Sequence, residues 1–370
     1  MFKLGVERLP LDADHDLASA PTFSRLEHQV DRKDIYRLTR ALVDHFIASY
    51  TEPPAAIVLD VDHSDDPTYG QQEFAFYNHH YQNHCYLPLF IFEGTSHALV
   101  TAYLRPGTRP PGAENAMILV RLLSSLRRHW PHTHILVRGD SHFATPEVMD
   151  VIAHRRWTDF VFGLAGNAVL LRQATPTLVE ARRLHHQRVA LAQAHGQAPP
   201  TSSRLYDEFV YAARSWAQPW RVVLKAEVMS ADDNPRFVVT SLEAPTPQIL
   251  YEDLYCARGN CENDIKAMKN DLHSDRTSAT TFLANAMRLL LACAAYVLHH
   301  ALRTHTLQHT ALAQAQPSTV ILTLFKIATQ IKQYKDRILL HLPSSCPVKA
   351  LLHRVTTLLC AVPAPVYNTS

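Results

Sequence analysis

Short, strongly apolar runs are spaced along the chain, and they predict most of its regular structure. From Ala55 the run AAIVLDVDH is β-branched and ends in acids, as in a buried strand that brings carboxylates to an edge or cleft. The runs YLPLFIFEG and SHALVTAYLRPG follow, separated by Glu93-Gly94-Thr95 as in a hairpin. These runs predict three consecutive strands with short connections.

A helical pattern and two further apolar runs come next. HILVRGDS predicts a fourth strand, PEVMDVIAHRR a short helix and DFVFGLA a fifth strand. Three strands followed by strand, helix and strand are the order expected of an α/β, ribonuclease-H-like fold with a mixed five-stranded sheet. Before the fourth strand, the stretch from Gly112 to Trp130 predicts an amphipathic helix from the spacing of Ile118, Leu119, Leu122, Leu123 and Leu126.

The character of the sequence changes between about Asn167 and Pro247. A Gln/Ala/Pro/Thr-rich stretch is followed by the strand-like runs RLYDEFVYAARSW, WRVVLKAEVM and RFVVTSL, which indicate a β-rich insertion. Helical patterns return through about Leu272, from about Thr281 to Leu307, and near the end. We therefore expect an amino-terminal arm and helix (1–50), a core domain with carboxyl-terminal helices (51–166 and 248–370), and the insertion (167–247).

Composition and charge are those of an ordinary globular protein. Of 370 residues, 47% are hydrophobic and 19% charged, and the net charge of +2 is low for a DNA-binding protein. From Arg172 to Arg204, however, five arginines face a single acid, Glu180. No apolar run reaches about 18 residues and the start lacks a secretory core, so a cytoplasmic protein with no membrane contact is expected.

Acidic residues at two strand ends suggest phosphodiester chemistry. Asp60 and Asp62 lie two positions apart on the first strand and hence on one face. Asp140 ends the fourth strand, beside Gly139, which allows close approach. Carboxylates that converge from separate elements can hold two magnesium ions for phosphodiester cleavage. The alternative for each acid taken alone is a loop cap.

The helix predicted after the insertion adds a polar stripe. At about 100° per residue, Tyr255, Arg258, Glu262 and Lys269 fall within an arc of about 60° beside the buried face. An acid there could bind metal, and its basic neighbours could bind phosphate. The alternative is a solvated i, i+4 pair between Arg258 and Glu262. The buried face comprises Leu250, Leu254, Cys261, Ile265, Met268 and Leu272.

These residues also carry a family resemblance. Tyr255-Cys-Ala-Arg258-Gly-Asn-Cys-Glu262, followed by Lys269, matches the Y-(2)-R-(3)-E-(6)-K signature of bacterial insertion-sequence DDE transposases (DDE domain group 1) at every spacing. LDVDHSDDPTYGQQE, YNHHYQNHCYLPLFIF and ILVRGDSHF also resemble one subgroup of this family. The resemblance covers roughly residues 18 to 360. It implies a ribonuclease-H-like fold with a β insertion before the glutamate.

The resemblance also implies roles for the residues of the predicted site. Asp140 and Glu262 would be the second and third catalytic and metal-binding acids, and either Asp60 or Asp62 the first. Tyr255, Arg258 and Lys269 would contact DNA phosphates.

The implied activity is DNA transposition. Water would free a 3′ hydroxyl at each transposon end, and that hydroxyl would then attack target DNA, with Mg as cofactor and Mn as a substitute. The implied partners are the double-stranded DNA of the inverted repeats and of the target, bound by a homodimer at the bacterial nucleoid.

Two features depart from the family pattern. His142 stands where relatives usually have a small residue after Arg-Gly-Asp-Ser. The segment DLASAPTFSRLEHQV, which follows a longer DNA-binding region in relatives, begins here near residue 17, so we expect an amino-terminally truncated chain.

Other interpretations stay open at this point. His79, His80, His84 and Cys85 could suggest zinc, although their spacing matches no standard ligand set and favours an exposed loop. Trp216 and Trp220 are expected in the core of the insertion, or one ring could stack on an unpaired base. The chain could also be a ribonuclease-H-like nuclease or resolvase without strand transfer, or a non-catalytic DNA-binding remnant.

Overall fold

The protein is described by a computed structural model over residues 20–229, 232–334 and 338–361. The beginning of the chain, on which the truncation hypothesis partly rests, lies outside the described residues. The chain divides into two compact units. The first comprises Arg37–Ile265, and the described part of the second comprises residues 20–36, 266–334 and 338–361.

The strands are β1 (Ala56–His63), β2 (Asp66–Pro67), β3 (Phe76–Asn78), β4 (Asn83–Tyr86), β5 (Leu89–Glu93), β6 (Leu99–Tyr103), β7 (His134–Gly139), β8 (Thr158–Leu164), β9 (Ser202–Tyr211), β10 (Trp220–Met229), β11 (Asp233–Thr240), β12 (Gln330–Gln333) and β13 (Ile338–His341).

The α-helices are α1 (Ala20–Gln29), α2 (Arg32–Ala48), α3 (Gly112–His129), α4 (Pro146–Ala153), α5 (Ala168–Ala194), α6 (Pro247–Ile249), α7 (Gly259–Asn270), α8 (Phe282–Ala301), α9 (Pro317–Val320) and α10 (Lys349–Ala361). π-helical turns span Leu250–Tyr255, Leu302–Thr306 and Ile321–Phe325, and a 3-10 turn spans Cys256–Arg258.

The first unit is built on one mixed sheet with the strand order β6-β5-β1-β7-β8-β11-β10-β9. β1, β7 and β8 run parallel, and β5 is antiparallel to both β1 and β6. The five strands predicted from the apolar runs are therefore adjacent, with the first strand in the middle. This arrangement confirms the ribonuclease-H-like core.

The β-rich insertion continues the same sheet, because β11 pairs with β8 and leads to β10 and β9. Its Gln/Ala/Pro/Thr-rich beginning, for which no element was predicted, forms the 27-residue helix α5. Asn167 caps this helix by accepting hydrogen bonds from two backbone N–H groups. The pattern is hard to see in the sequence because the buried stripe is sparse and partly made of small or polar residues: Leu170, Ala174, Ala181 and His185.

Between β1 and β5, the polar segment rich in histidine and tyrosine forms a small three-stranded sheet of order β2-β4-β3. The apolar pattern of the sequence did not predict this sheet. The segment after β6 packs directly against this small sheet. A Cβ at Gly107 would lie 2.0 Å from the carbonyl oxygen of Cys85 and 2.8 Å from that of Phe76. Only glycine allows this approach of backbone to backbone.

Alternation along β1 assigns its residues to two different faces. Leu59 and Val61 belong to the main core, which also includes residues of α2, α3, α4 and α5. On the other face, Val58 packs with Leu250 and Tyr251, from the segment that precedes α7. Asp60 and Asp62 share the face of Val58, so they point to the side of the sheet that carries this helical segment.

The second unit is mostly helical in its described residues. In α8 the side chain of Asn285 is buried and bonds both backbone polar groups of Ala279, and Arg288 pairs with Glu27 on α1 at 2.8 Å. A separate apolar cluster joins the residues that follow α8 to α10. The segment Phe282–Thr306 is long and apolar enough to cross a membrane by length and composition, although polar residues such as Asn285 and Arg288 interrupt its apolar run. Half of its apolar window is buried within the protein, as in an ordinary core helix.

Candidate active site

The register between β1 and β7 brings two acidic residues together. Asp60 is the partner of Arg138, and Val61 is the partner of Gly139. One step further along these parallel strands, Asp62 and Asp140 follow as the next pair. Strands in a sheet lie about 4.8 Å apart, so both carboxylates emerge side by side where the two strands end.

Asp60 lies deeper on the same face and forms a different contact. Its carboxylate accepts two hydrogen bonds from the Arg138 guanidinium, at 2.6 and 2.7 Å, and both side chains are buried. Arg138 also donates to the carbonyl of Leu254. Burial raises the pKa of Asp60, and Arg138 opposes that shift. This buried pair joins β1, β7 and the segment before α7, and it occupies both carboxylate oxygens of Asp60.

Arg258 connects Asp62 to Glu262. Its guanidinium lies 2.9 Å from Asp62 Oδ2 and 3.0 Å from Glu262 Oε1. The i, i+4 pair considered from the sequence therefore forms, but it is not simply solvated, because only 16% of the Arg258 side chain is exposed. The third partner, Asp62, is 196 positions away in the chain. The contact therefore joins the first strand to the helix that follows the insertion.

Charge is concentrated around Asp62. The pKa of Asp62 is raised to about 6: burial is the main cause, the neighbouring Asp140 and Glu262 carboxylates also raise it, and Arg258 lowers it. Burial alone would lower the pKa of Arg258, but the acids around it, Asp62 first, raise it overall. The three carboxylates are thus within electrostatic reach of one another, and Arg258 compensates part of their charge.

His142 contacts Asp140 directly. Its Nδ1 lies 3.1 Å from Asp140 Oδ2, and its backbone N–H donates to Asp140 Oδ1. Burial would raise the pKa of Asp140, but these contacts lower it overall. The same carboxylate raises the pKa of the His142 imidazole. The residue that departs from the family pattern therefore forms an ion pair with the second acid.

Tyr255 packs against the end of β8. A Cβ at Gly163 would lie only 2.5 Å from the Tyr255 hydroxyl and 3.2 Å from the backbone nitrogen of Ser141. Burial raises the pKa of Tyr255, and the Asp140 charge adds to this shift. A glycine in β8 therefore lets the Tyr255 hydroxyl approach the loop that carries Asp140.

The segment that carries the polar stripe is not one regular helix. A π-helical turn ends at Tyr255, a 3-10 turn ends at Arg258, and α7 begins at Gly259. The 60° arc computed for a regular helix is therefore wrong before Gly259, because the angle per residue differs in each type of turn. Lys269 lies on α7 seven residues after Glu262, about two helical turns further on.

The acids match magnesium in donor chemistry. Carboxylate oxygens are the hard ligands that Mg²⁺ and Mn²⁺ prefer, and the Asp140 and Glu262 charges around Asp62 are ones that a bound cation would compensate. Within the described residues no three Asp, Glu, His or Cys side chains are already gathered as a ligand set. The Arg258 guanidinium lies between Asp62 and Glu262, and it must leave before both can share one ion.

Three other features of the sequence have a structural explanation. In the arginine-rich stretch, Arg182, Arg183 and Arg204 each pair with a carboxylate, so much of its positive charge is compensated. Trp220 packs edge-on against Phe160 with ring centroids 5.2 Å apart, and Trp216 does so against Tyr211 at 5.3 Å. Both indoles are partly buried against the core of the sheet.

The residues considered for zinc lie on β4 of the small sheet and in the turn between β3 and β4. His84 and Cys85 are neighbours on β4 and differ in burial: the imidazole is exposed and the thiol is buried. His79 and His84 each pack edge-on against Tyr77, with centroid distances of 5.2 and 5.4 Å. Among the described residues these side chains form no group of metal ligands.

Comparison with known proteins identifies the family. The model of the family "Transposase DDE domain group 1" matches residues 1–364, so the chain belongs to that family. No curated protein sequence matches the chain significantly. Among solved structures it is similar to a piggyBac transposase in a synaptic complex with hairpin DNA, with 14% identity and a TM-score of 0.38. That match covers 77% of this chain, and the chain spans 55% of the piggyBac chain.

Proposed function

We propose that this protein is a metal-dependent DNA transposase that cleaves transposon ends and joins the freed 3′ hydroxyl to target DNA. The main support is the contact of Arg258 with both Asp62 and Glu262, beside Asp140. These contacts support one site formed by three acids, from β1, the end of β7 and α7. Membership of the DDE family supplies the reaction class.

Asp62, Asp140 and Glu262 are the proposed catalytic acids, and they would hold the metal. Asp62 is preferred to Asp60 as the first acid because both oxygens of Asp60 are engaged by Arg138. Mg²⁺, or Mn²⁺ in its place, would supply charge neutralisation on the attacking and leaving oxygens when bound. DDE proteins generally use such divalent ions.

The cationic and phenolic groups would bind the DNA backbone. Arg258 is held by carboxylates, and its planar guanidinium can transfer to a phosphate with similar bidentate geometry. Tyr255 keeps its proton because burial and Asp140 raise its pKa, so its hydroxyl can donate to a phosphate oxygen. Lys269, further along α7, would contact the next part of the strand.

The proposed partners are the double-stranded DNA of the inverted repeats and of the target, bound by a homodimer in the bacterial cytoplasm. In this proposal residues 51–166 and 248–370 form the catalytic domain, 167–247 the insertion, and 1–50 an amino-terminal arm and helix.

The decisive experiment uses purified protein and pre-nicked duplexes that carry the terminal sequence of its element, with Mg²⁺ or Mn²⁺. Wild type should give joined products, and Glu262→Gln and Asp140→Asn should reduce joining by several orders of magnitude. Asp253→Asn is a matched control, because this exposed acid lies on the same helical segment and outside the site. Cleavage without joining would favour a nuclease, and no metal-dependent product would favour a non-catalytic remnant.

A further inference from the structure

A pair of side chains joins the tip of the β5-β6 hairpin to the helix that carries Glu262. The Nδ1 atom of His97 lies 2.9 Å from Asp264 Oδ2, across 167 positions of the chain. The exposed fraction is 34% for the His97 side chain and 15% for that of Asp264. Neither residue belongs to the Y-R-E-K signature or to the proposed set of acids, so the proposed reaction does not by itself account for this pair.

A buried carboxylate holds the hairpin tip in one conformation. Glu93 Oε2 accepts hydrogen bonds from the backbone N–H groups of Thr95 and Ser96, at 3.1 and 2.6 Å. It also accepts one from the Ser96 hydroxyl at 2.7 Å, and the His97 N–H donates to the Glu93 carbonyl at 2.9 Å. Hydrogen bonds to an ionised acceptor are stronger than those between neutral groups. The tip therefore presents the His97 imidazole from a fixed backbone.

The same tip packs on the buried pair of Asp60 and Arg138. A Cβ at Gly94 would lie 2.5 Å from Asp60 Oδ2, so glycine is required for this approach. The Gly94 N–H donates to the carbonyl of Val58 on β1 at 2.8 Å. The hairpin tip is thus fixed to the strand that carries Asp62.

The two acids of α7 face different ways. Asp264 follows Glu262 by two residues, so at about 100° per residue their side chains point about 200° apart. On one side of the helix, Arg258 joins Glu262 to Asp62. On the other side, His97 holds Asp264. Contacts on opposite sides fix the rotation of α7 about its axis, and with it the direction of the Glu262 carboxylate.

We propose that His97 is a positioning residue, which by holding Asp264 fixes the rotation of α7 and directs Glu262 toward the metal. Arg258 must release Glu262 when the metal binds, whereas the His97 contact lies on the other side of the helix and can persist. The pair therefore holds α7 in place while the Arg258 contact changes. The inference rests on the proposed function, because it concerns the third acid of that site.

Two substitutions separate the role of the imidazole from that of the backbone. His97 has a φ of 62°, in the left-handed region that glycine and asparagine adopt most readily. His97→Gly removes the imidazole without straining the turn. His97→Asn supplies an amide N–H donor on the atom bonded to Cγ, as Nδ1 is in histidine. If the bond to Asp264 positions α7, asparagine restores the effect and glycine does not.

The first measurement is calorimetric titration of Mn²⁺ into the full chain without DNA. His97→Gly should bind Mn²⁺ about 10- to 100-fold more weakly than wild type, the usual loss when a group that orients a metal ligand is removed. His97→Asn should recover most of the affinity.

His134→Ala is the matched control. His134 pairs with Asp159 at the same distance, 2.9 Å, but at the start of β7, whereas Asp140 follows the end of that strand. This variant should bind Mn²⁺ like wild type. Equal affinity of His97→Gly and wild type would overturn the proposal. So would an equal loss of affinity in His134→Ala, because a general loss of stability would then explain both results.

A second measurement needs neither metal nor DNA. Amide hydrogen exchange within residues 259–270 should be about 5-fold faster in His97→Gly than in wild type, as the loss of one hydrogen bond implies. It should be unchanged in His97→Asn and His134→Ala. Unchanged exchange in His97→Gly would contradict the hold of His97 on α7.

The two measurements also separate this inference from the proposed function. Wild type that binds Mn²⁺ through Asp140, with no effect of His97→Gly on affinity or exchange, would overturn the positioning role alone. Faster exchange in His97→Gly, together with no Mn²⁺ binding by wild type, would overturn the proposed metal-dependent activity and show that the pair only stabilises the fold.

Discussion

At the scale of single residues, Asp60 and Asp62 show how neighbouring acids on one strand face can take different roles. Asp60 is buried and both its oxygens bind Arg138. Asp62, two positions nearer the strand end, lies beside Asp140 and pairs with Arg258 at a partly open site. Asp60 therefore has a structural role, whereas Asp62, at the end of the strand, is placed where a substrate could reach it.

This separation predicts opposite effects of the two isosteric substitutions. Asp60→Asn should lower the free energy of unfolding by about 3 to 5 kcal/mol, because it leaves the buried Arg138 charge without its partner. Asp62→Asn should abolish joining and leave stability near neutral pH unchanged or higher. Denaturant unfolding and strand-transfer assays would measure both. An Asp60→Asn protein as stable as wild type would contradict the structural role of the Arg138 pair.

The raised pKa of Asp62 predicts a pH dependence of stability in metal-free protein. The folded state holds a proton on Asp62 up to about pH 6, whereas an unfolded Asp releases it near 3.8. The associated stabilisation, about 3 kcal/mol, is complete below the unfolded pKa and is lost as pH rises through about 6.

The measurement is denaturant unfolding of wild type and Asp62→Asn in EDTA from pH 4 to 7. The wild type should lose stability relative to Asp62→Asn as pH rises, since asparagine does not titrate. A constant difference across this range would show that Asp62 does not titrate there.

At the scale of elements, the site depends on how closely β8 and the segment before α7 approach each other. Gly163 permits the Tyr255 hydroxyl to lie against β8. The irregular helical turns between Leu250 and Arg258 then bring Tyr255 and Arg258 to the same end of the sheet as Asp62. The strand glycine and the irregular turns together determine where the proposed phosphate-binding groups lie.

Gly163→Ala should therefore displace Tyr255. An added Cβ would lie 2.5 Å from its hydroxyl, and the nearby Ser141 backbone cannot easily yield. We expect a loss of about 1 to 3 kcal/mol in stability and at least a tenfold loss of joining. Gly166→Ala is the control, since its Cβ would make only ordinary contact with Phe237 at 3.6 Å. Equal activity of the two variants would refute this role of Gly163.

At the scale of the whole molecule, one sheet carries the first two acids, and the insertion extends that sheet before the chain returns with the third. The acids come from positions 62, 140 and 262, and β9 to β11 lie between the last two. The ion pair of Arg258 with Asp62 bridges these distant parts. A ligand that binds all three acids should therefore stabilise the first unit against unfolding.

Metal binding should appear as a rise in thermal stability. At Mn²⁺ or Mg²⁺ concentrations about 100 times the dissociation constant, the stabilisation should be about 2.7 kcal/mol, or roughly 5 to 10 °C. EDTA should reverse it, and Asp140→Asn should show little or none of it. Asp253→Asn should respond like wild type. A full response in Asp140→Asn would place the bound metal elsewhere.

The local pattern of the sequence was enough to locate the five core strands and α3 and α4, because each buries a continuous apolar face with its own periodicity. The Y-R-E-K spacing also identified the family, which the match over residues 1–364 confirms. The helix α5 was missed because its buried stripe is sparse and partly polar. The small β2-β4-β3 sheet was missed because its strands, of two, three and four residues, are too short to show an apolar alternation.

Tertiary structure alone decided which acid of β1 meets its partners. Asp60 and Asp62 occupy equivalent positions in the strand alternation. Only the register with β7 pairs Asp60 with Arg138 and brings Asp62 beside Asp140. The contacts of Arg258 with Asp62 and of His97 with Asp264 likewise join residues far apart in the chain. A one-dimensional pattern records which groups are available, but their distances depend on how strands pair and helices pack.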